Sequence, residues 1–306
     1  MITHRVHRDL ARAISGVENG IVDLPAALAT LRAHGHGPGE KRAAIVGITG
    51  PPGAGKSTLV DRLIEGFRAE GESVAVIAVD PSSPFTHGAV LGDRVRMQRH
   101  AGDREVYIRS MASREAGGGL APATRDAVRL AEAAGFDVVI VETVGVGQVE
   151  LEIVAVADLI VVVTVPGLGD GVQTIKAGLT EIADIFVVNM ADRPGANRTA
   201  VDLKHMVRES RREIPVLQTI AQDGTGVSEL LTAIVARRDA NDGNAVRAVR
   251  FEVVRKARDR AVAAALAALD GPDAAAVLQR LRDRDITRND AIDMLLRMLE
   301  GPVHAH

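Results

Sequence analysis

An α/β domain built on a mostly parallel sheet is the fold class this 306-residue sequence predicts, and two patterns carry the expectation. From Ala43 onward, short apolar runs alternate with helical segments, the rhythm of repeated strand–helix–strand units. Several of those runs are apolar without alternation, as strands covered on both faces must be. The candidate strands are Ala43–Ile48, Val74–Val79, Val106–Ile108, Val138–Glu142, Leu159–Val165, Ile185–Asn189 and Val216–Thr219. Stretches such as Ser57–Glu70 and Ala123–Ala134 are long enough for crossover helices.

Helical segments flank this domain. Leu10, Ile14, Val17 and Ile21 recur at steps of four, three and four, which predicts one helical face. Leu24, Leu28 and Leu31 continue an apolar stripe after Pro25, a residue suited to the first turn of a helix. Gly35, Gly37, Pro38 and Gly39 mark the stretch from His34 to Glu40 as a linker. Beyond about Val235 the strands stop. Val254, Ala257, Ala261 and the run to Leu269 predict one helix. Thr287 and Asp290 form a candidate capping box for a last helix carrying Ile292, Leu295, Leu296 and Leu299. The expected organisation is an N-terminal helical segment over 1–40, a nucleotide-binding domain over 41–240 and a C-terminal helical extension over 241–306. That extension either packs on its own domain or serves as a dimerisation arm.

Composition removes several classes of function. A net charge of -3 gives no general attraction to nucleic acid or anionic membranes, and 2% aromatic residues cannot supply a base-stacking platform. Cysteine is absent, which excludes disulfides and thiolate metal sites and fits a cytoplasmic protein. His4, Arg5, His7, Arg8 and Asp9 interrupt any signal-peptide core, and no apolar run approaches a membrane span.

The chemistry begins in GITGPPGAGKST, which follows a predicted strand and opens a predicted helix. Gly50, Pro51, Pro52, Gly53, Ala54, Gly55, Lys56, Ser57 and Thr58 carry the spacing of a phosphate-binding P-loop. Glycines let backbone N–H groups curl into a nest for phosphate oxygens. Lys56 places a charge on the β- and γ-phosphates, Ser57 offers a hydroxyl to Mg²⁺, and the helix start adds its positive dipole end. The domain is therefore expected to be a P-loop NTPase with helices flanking its sheet. Asp80 closes one predicted strand at the ligand-binding edge, and Asp93 follows in LGDRVRM; both are candidate magnesium residues. Glu142 closes another strand and precedes TVGVGQ. An acid followed three positions on by Gly145 is an arrangement that senses a γ-phosphate, so Lys56, Glu142 and Gly145 are the candidate catalytic set.

Base choice is written in Asn189-Met190-Ala191-Asp192. Guanine-selective sites carry Asn-Lys-x-Asp here, and the aspartate accepts from guanine N1 and N2, a pattern adenine cannot donate. Met190 stands where lysine is usual; it can lay an apolar stem on the purine face but cannot reproduce the ammonium contacts. Thr219, Ile220 and Ala221, with Gly224 and Gly226 behind them, resemble the second base loop. GTP is the expected nucleotide.

Taken together, GITGPPGAGKSTL, VDPSSPFTHGAVLGDRVRM, VYIRSMASR, VETVGVGQVE and VPGLGDGVQTIKAGLTEIADIFVVN resemble the MeaB/ArgK family of GTPases, over residues 5 to 300. The resemblance implies a GTP-hydrolysing chaperone that gates cofactor loading and protects or reactivates an adenosylcobalamin-dependent acyl-CoA mutase, foremost methylmalonyl-CoA mutase. It implies slow hydrolysis without the partner, a homodimer using the C-terminal helices, and cobalamin met only through the mutase. It further implies a partner-coupling loop whose matching positions are Asp170, Gln173 and Lys176. Two departures stand out: Met190, and the segment from Glu115 to Leu120. The alternatives are a metal-delivering GTPase, which nine scattered histidines and no cysteine support poorly, and a small-molecule kinase with no identifiable substrate site.

Overall fold

The computed structural model describes residues 2–37, 42–80, 98–112, 122–143, 153–167, 179–209, 212–240 and 244–300. It divides into two compact units, Met1–Ala248 and Val249–His306.

The first unit is built on a seven-stranded sheet in the order β3-β2-β4-β1-β5-β6-β7. Its strands are β1 (Ala44–Thr49), β2 (Val74–Asp80), β3 (Val106–Ala112), β4 (Val138–Glu142), β5 (Leu159–Thr164), β6 (Ile185–Asn189) and β7 (Val216–Thr219). Every pairing is parallel. All residues of β1, β4, β5 and β6 are buried, which explains their unbroken apolar runs. Between β1 and β2 runs α3 (Lys56–Ala69), and α7 (Val227–Ala240) follows β7. Leu59, Leu63, Ile64 and Phe67 of α3 share one core with Leu230 and Ile234 of α7 and with the sheet valines and isoleucines. At Gly66 a Cβ would come within 2.8 Å of Leu231, so glycine sets how closely the two helices approach.

The remaining connections of this unit are α4 (Pro122–Ala133), the short α5 (Leu179–Ile182) and α6 (Ala196–Glu209). The N-terminal helices α1 (His4–Glu18) and α2 (Leu24–Ala33) pack on each other and on α4. Thr3 caps α1 and Asp23 caps α2, with Pro25 in the first turn of α2 as its rigid φ allows. Leu10 and Ile14 are fully buried, but Ile21 lies beyond the helix and is 75% exposed. The expected stripe therefore ends before Ile21, where Gly20 turns the chain with φ 66°.

Strand ends fall within a residue of expectation except in β3, which runs four residues past Ile108. Arg109 and Ser110 break the apolar pattern there, yet the strand continues because Arg109 finds partners on α1. Its Nη2 donates to Glu18 Oε2 at 2.7 Å and to Ser15 Oγ at 3.2 Å.

The second unit contains most of α8 (Asn244–Leu269), then α9 (Pro272–Arg282) and α10 (Arg288–Glu300). The Thr287–Asp290 capping box forms: Asp290 N–H donates to Thr287 Oγ1 at 3.2 Å, and Thr287 N–H to Asp290 Oδ2 at 3.0 Å. Ala274 and Val277 of α9 and Ala291 of α10 are buried. Val249, Val253, Val254, Val262 and Leu266 of α8 are exposed, as are Ile292 and Leu296 of α10. Among the described residues no single helix is long and apolar enough to cross a membrane.

Phe67 is among the largest fully buried side chains, so Phe67→Ala is expected to lower stability by about 3–5 kcal/mol, read from urea unfolding followed by circular dichroism.

Candidate nucleotide site

In an open parallel sheet, ligands gather at the carboxyl ends of the strands, where the strand order reverses. Here β1 lies between β4 and β5, and the ends of β1, β4, β6 and β7 deliver Gly50, Glu142, Asn189 and Thr219 to one edge. The loop from Gly50 to Gly55 can curl only with glycine at its turning points. Gly50 has φ 137°, and a Cβ there would stand 1.9 Å from the Val163 carbonyl oxygen. Gly55 has φ 79°, and its Cβ would meet the Asn189 amide at 2.5 Å. Pro52 and Gly53 form the exposed crest, while Ala54 is buried beneath it.

Lys56 opens α3 and is buried, and an ammonium taken out of water needs strong acceptors. Its Nζ donates to the carbonyl oxygens of Gly50 at 2.8 Å and Pro51 at 3.0 Å, so the lysine arches back across its own loop. Ser57, next on the helix, donates from Oγ to Glu142 Oε1 at 2.7 Å, and both residues are buried. Parallel register sets Glu142 opposite Ile48, one residue before the end of β1, which brings the β4 carboxylate to the start of α3. Behind it Thr143 donates from its hydroxyl to Thr49 Oγ1 at 3.0 Å. A hydroxyl beside a carboxylate is a hard-oxygen donor pair of the kind Mg²⁺ takes. Two of the four candidate magnesium residues read from the sequence, Ser57 and Glu142, are thus in direct contact.

Asn189 is the junction of the base side. Its Nδ2 donates to the Ala54 carbonyl at 2.8 Å, while Oδ1 accepts from Thr219 Oγ1 and from the Ala221 N–H, both at 3.1 Å. One buried amide therefore ties the phosphate loop to Thr219 and Ala221 of the candidate second base loop. Met190 follows with φ 55°, a left-handed conformation uncommon outside glycine, and packs against the core from a partly buried position. The left-handed turn redirects the chain so that Ala191 N–H bonds the Thr219 carbonyl at 3.0 Å and Asp192 reaches the surface.

Asp192 then stands at an open pocket lined also by Gly55, Thr58, Asn189, Met190, Ile220 and Ala221. Arg193 and Gln222 complete the lining and were not singled out by the sequence. Nor was Arg62 of α3, whose Nε donates to the Ala221 carbonyl at 3.1 Å and whose Nη2 donates to that of Gln222 at 2.5 Å. No local motif marks Arg62, because its partners lie about 160 residues away. The base loop is further set by Gly226, where a Cβ would meet the Gln218 carbonyl at 2.1 Å. Asp223 accepts from the Thr225 N–H at 2.9 Å, and that bond holds its carboxyl below the usual range.

Of the remaining sequence candidates, Asp80 ends β2 opposite Ala112, its side chain outside what is described. Asp93, Gly145, Asp170, Gln173 and Lys176 lie outside the described residues, as does the segment from Glu115 to Leu120.

Residues 10–270 match the family described as methylmalonyl Co-A mutase-associated GTPase MeaB. The chain belongs to this family. It is accordingly a P-loop GTPase. A relative in Pyrococcus abyssi (strain GE5 / Orsay) is 49% identical over 270 residues, covering 84% of this chain and 83% of that protein. The fused isobutyryl-CoA mutase of Geobacillus kaustophilus (strain HTA426) is 38% identical over 207 residues, 64% of this chain but 19% of that much longer protein. Among solved structures, that of a LAO/AO transport system kinase has a TM-score of 0.63 and 27% identity, covering 97% of this chain and 96% of that one.

Within this MeaB-family site, Asn189→Ala would strip the Thr219 hydroxyl, the Ala221 N–H and the Ala54 carbonyl of their shared partner. Each buried polar group so stranded costs about 1–3 kcal/mol of stability, so the urea midpoint is expected to fall, and a fluorescent GDP analogue is expected to bind more weakly because the loop and pocket lose their shared tether.

Proposed function

We propose that the chain is a GTP-binding and GTP-hydrolysing chaperone that gates cofactor loading into an adenosylcobalamin-dependent acyl-CoA mutase, foremost methylmalonyl-CoA mutase, and protects or reactivates that enzyme. The observation that carries the nucleotide half is the Asn189 junction, which joins the P-loop to a pocket with Asp192 at its mouth. The mutase half is supported by the family's description and by a relative in which a segment similar to this chain belongs to a fused acyl-CoA mutase.

In this reading the backbone N–H groups of Gly53 to Ser57 receive the phosphates, and Lys56 exchanges the Gly50 and Pro51 carbonyls for phosphate oxygens. Ser57 and Glu142 would hold Mg²⁺, with Asp80 and Asp93 as further candidates. The ion those residues would hold would supply positive charge to offset that of the phosphates. Gly145 contacts the γ-phosphate. The Asp192 carboxylate accepts from guanine N1 and N2 while the Met190 stem covers the purine face. Asp170, Gln173 and Lys176 carry the nucleotide state to the mutase. Exposed valines and Leu266 on α8 support a homodimer through the C-terminal helices. The protein would act in the cytoplasm.

Three outcomes test the reading. Asp192→Asn should move preference from GTP toward xanthosine triphosphate, because an amide can donate where the carboxylate accepts; unchanged selectivity would place the base elsewhere. Lys56→Ala should weaken triphosphate binding by roughly tenfold to a hundredfold, the worth of a charge-assisted hydrogen bond, measured by calorimetry. With a purified methylmalonyl-CoA mutase, a complex should form and the GTPase rate should rise. Absence of both a complex and stimulation across acyl-CoA mutases contradicts the chaperone role.

A further inference from the structure

A second cluster of metal-ligating groups lies in the N-terminal helical pair. Asp9 of α1 is buried, its side chain 5% exposed. At the end of α2 the chain makes a tight reversal: His34 N–H bonds the Thr30 carbonyl, Gly35 N–H that of Arg32 and His36 N–H that of Leu31. Gly35 adopts φ 82° at the centre of this turn, a conformation glycine takes without strain. The reversal sends two imidazoles back to one oxygen. His34 Nδ1 is 3.0 Å and His36 Nε2 2.9 Å from Asp9 Oδ2, and the three ligand atoms lie within 4.8 Å of one another.

Charge balance does not require this arrangement. Arg5 Nε and Arg8 Nε already stand 3.6 and 3.9 Å from the same carboxylate. Two imidazole nitrogens converging beside one oxygen is instead a donor set that suits a borderline-soft dication: two nitrogens and one carboxylate oxygen. Bonds of about 2.0–2.1 Å in tetrahedral geometry set ligand atoms roughly 3.3 Å apart, so an ion needs the observed pairs to open by a few tenths of an ångström. His34 can yield by that much, since its side chain is 42% exposed. The opposing guanidiniums are about 60% exposed, where solvent screens their repulsion and leaves them free to swing away.

We propose that Asp9, His34 and His36 form a Zn²⁺ site that joins α1 to the turn after α2. It is separate from the nucleotide's magnesium, which takes oxygen donors alone, and it stands or falls independently of the mutase reading. The site pins the segment that leads from α2 toward β1, and so fixes the N-terminal helices to each other by coordination as well as by packing.

The test uses the full chain, stripped with a chelator and titrated with Zn²⁺ by calorimetry in excess Mg²⁺, with Co²⁺ as the spectroscopic substitute. The background carries His304→Ala and His306→Ala, which removes chelation by the terminal histidines. About one equivalent should bind, Co²⁺ should give a low-symmetry absorption band, and thermal stability should rise. His34→Ala, at an exposed position, and His36→Ala should each weaken binding by more than about a hundredfold, beyond the roughly 10–100-fold that loss of an outer-shell partner costs. Arg5→Ala should tighten it. Absence of saturable binding overturns the proposal, as does binding that both histidine variants leave unchanged.

Discussion

The site is organised around one buried cation. Lys56 sits at the first turn of α3 with its ammonium out of water, and the carbonyls of Gly50 and Pro51 hold it. That contact requires the loop to curl over its own helix, which requires Gly50 at φ 137° against the Val163 carbonyl. The parallel sheet then has to supply β5 beside β1 for the loop to lie against. Burying a charge is unfavourable unless acceptors are fixed in advance, so the loop, the helix start and the strand order form one constraint.

The base side depends on that constraint through Asn189. Its amide bonds Ala54 on the phosphate loop and both Thr219 and Ala221 on the base loop. The P-loop and the pocket beside Asp192 therefore share one buried tether. Arg62 closes a second route, from the middle of α3 to the carbonyls of Ala221 and Gln222. Nucleotide binding in this chain is a property of strand ends locked together by buried hydrogen bonds, more than of any single loop.

Much of this was legible in the sequence because its signals are local. The P-loop spacing, the apolar runs of β1, β4, β5 and β6 and the Thr287–Asp290 box each depend on neighbours within a few residues. What escaped depends on distant partners. The length of β3 turns on Arg109 reaching Glu18 across 91 positions. Arg62 shows nothing in sequence that distinguishes it from a solvated helix residue. Asp9, His34 and His36 read as scattered until the turn at Gly35 brings them to one point. Ile21 continued an arithmetic pattern past the residue where the helix ends. Met190, a departure from the usual lysine, occupies the pocket's lining in a left-handed turn that sequence alone does not reveal.

Protein groups hold Lys56 and Ser57 at the proposed phosphate and magnesium positions. A crystal structure with Mg²⁺ and a non-hydrolysable GTP analogue tests it directly. The account predicts that Lys56 Nζ leaves the Gly50 and Pro51 carbonyls for the β- and γ-phosphate oxygens and that Ser57 Oγ leaves Glu142 for the metal. Asn189 should keep its bonds to Ala54, Thr219 and Ala221. A triphosphate bound with Lys56 still on its carbonyls, or with the Asn189 junction broken, would contradict it.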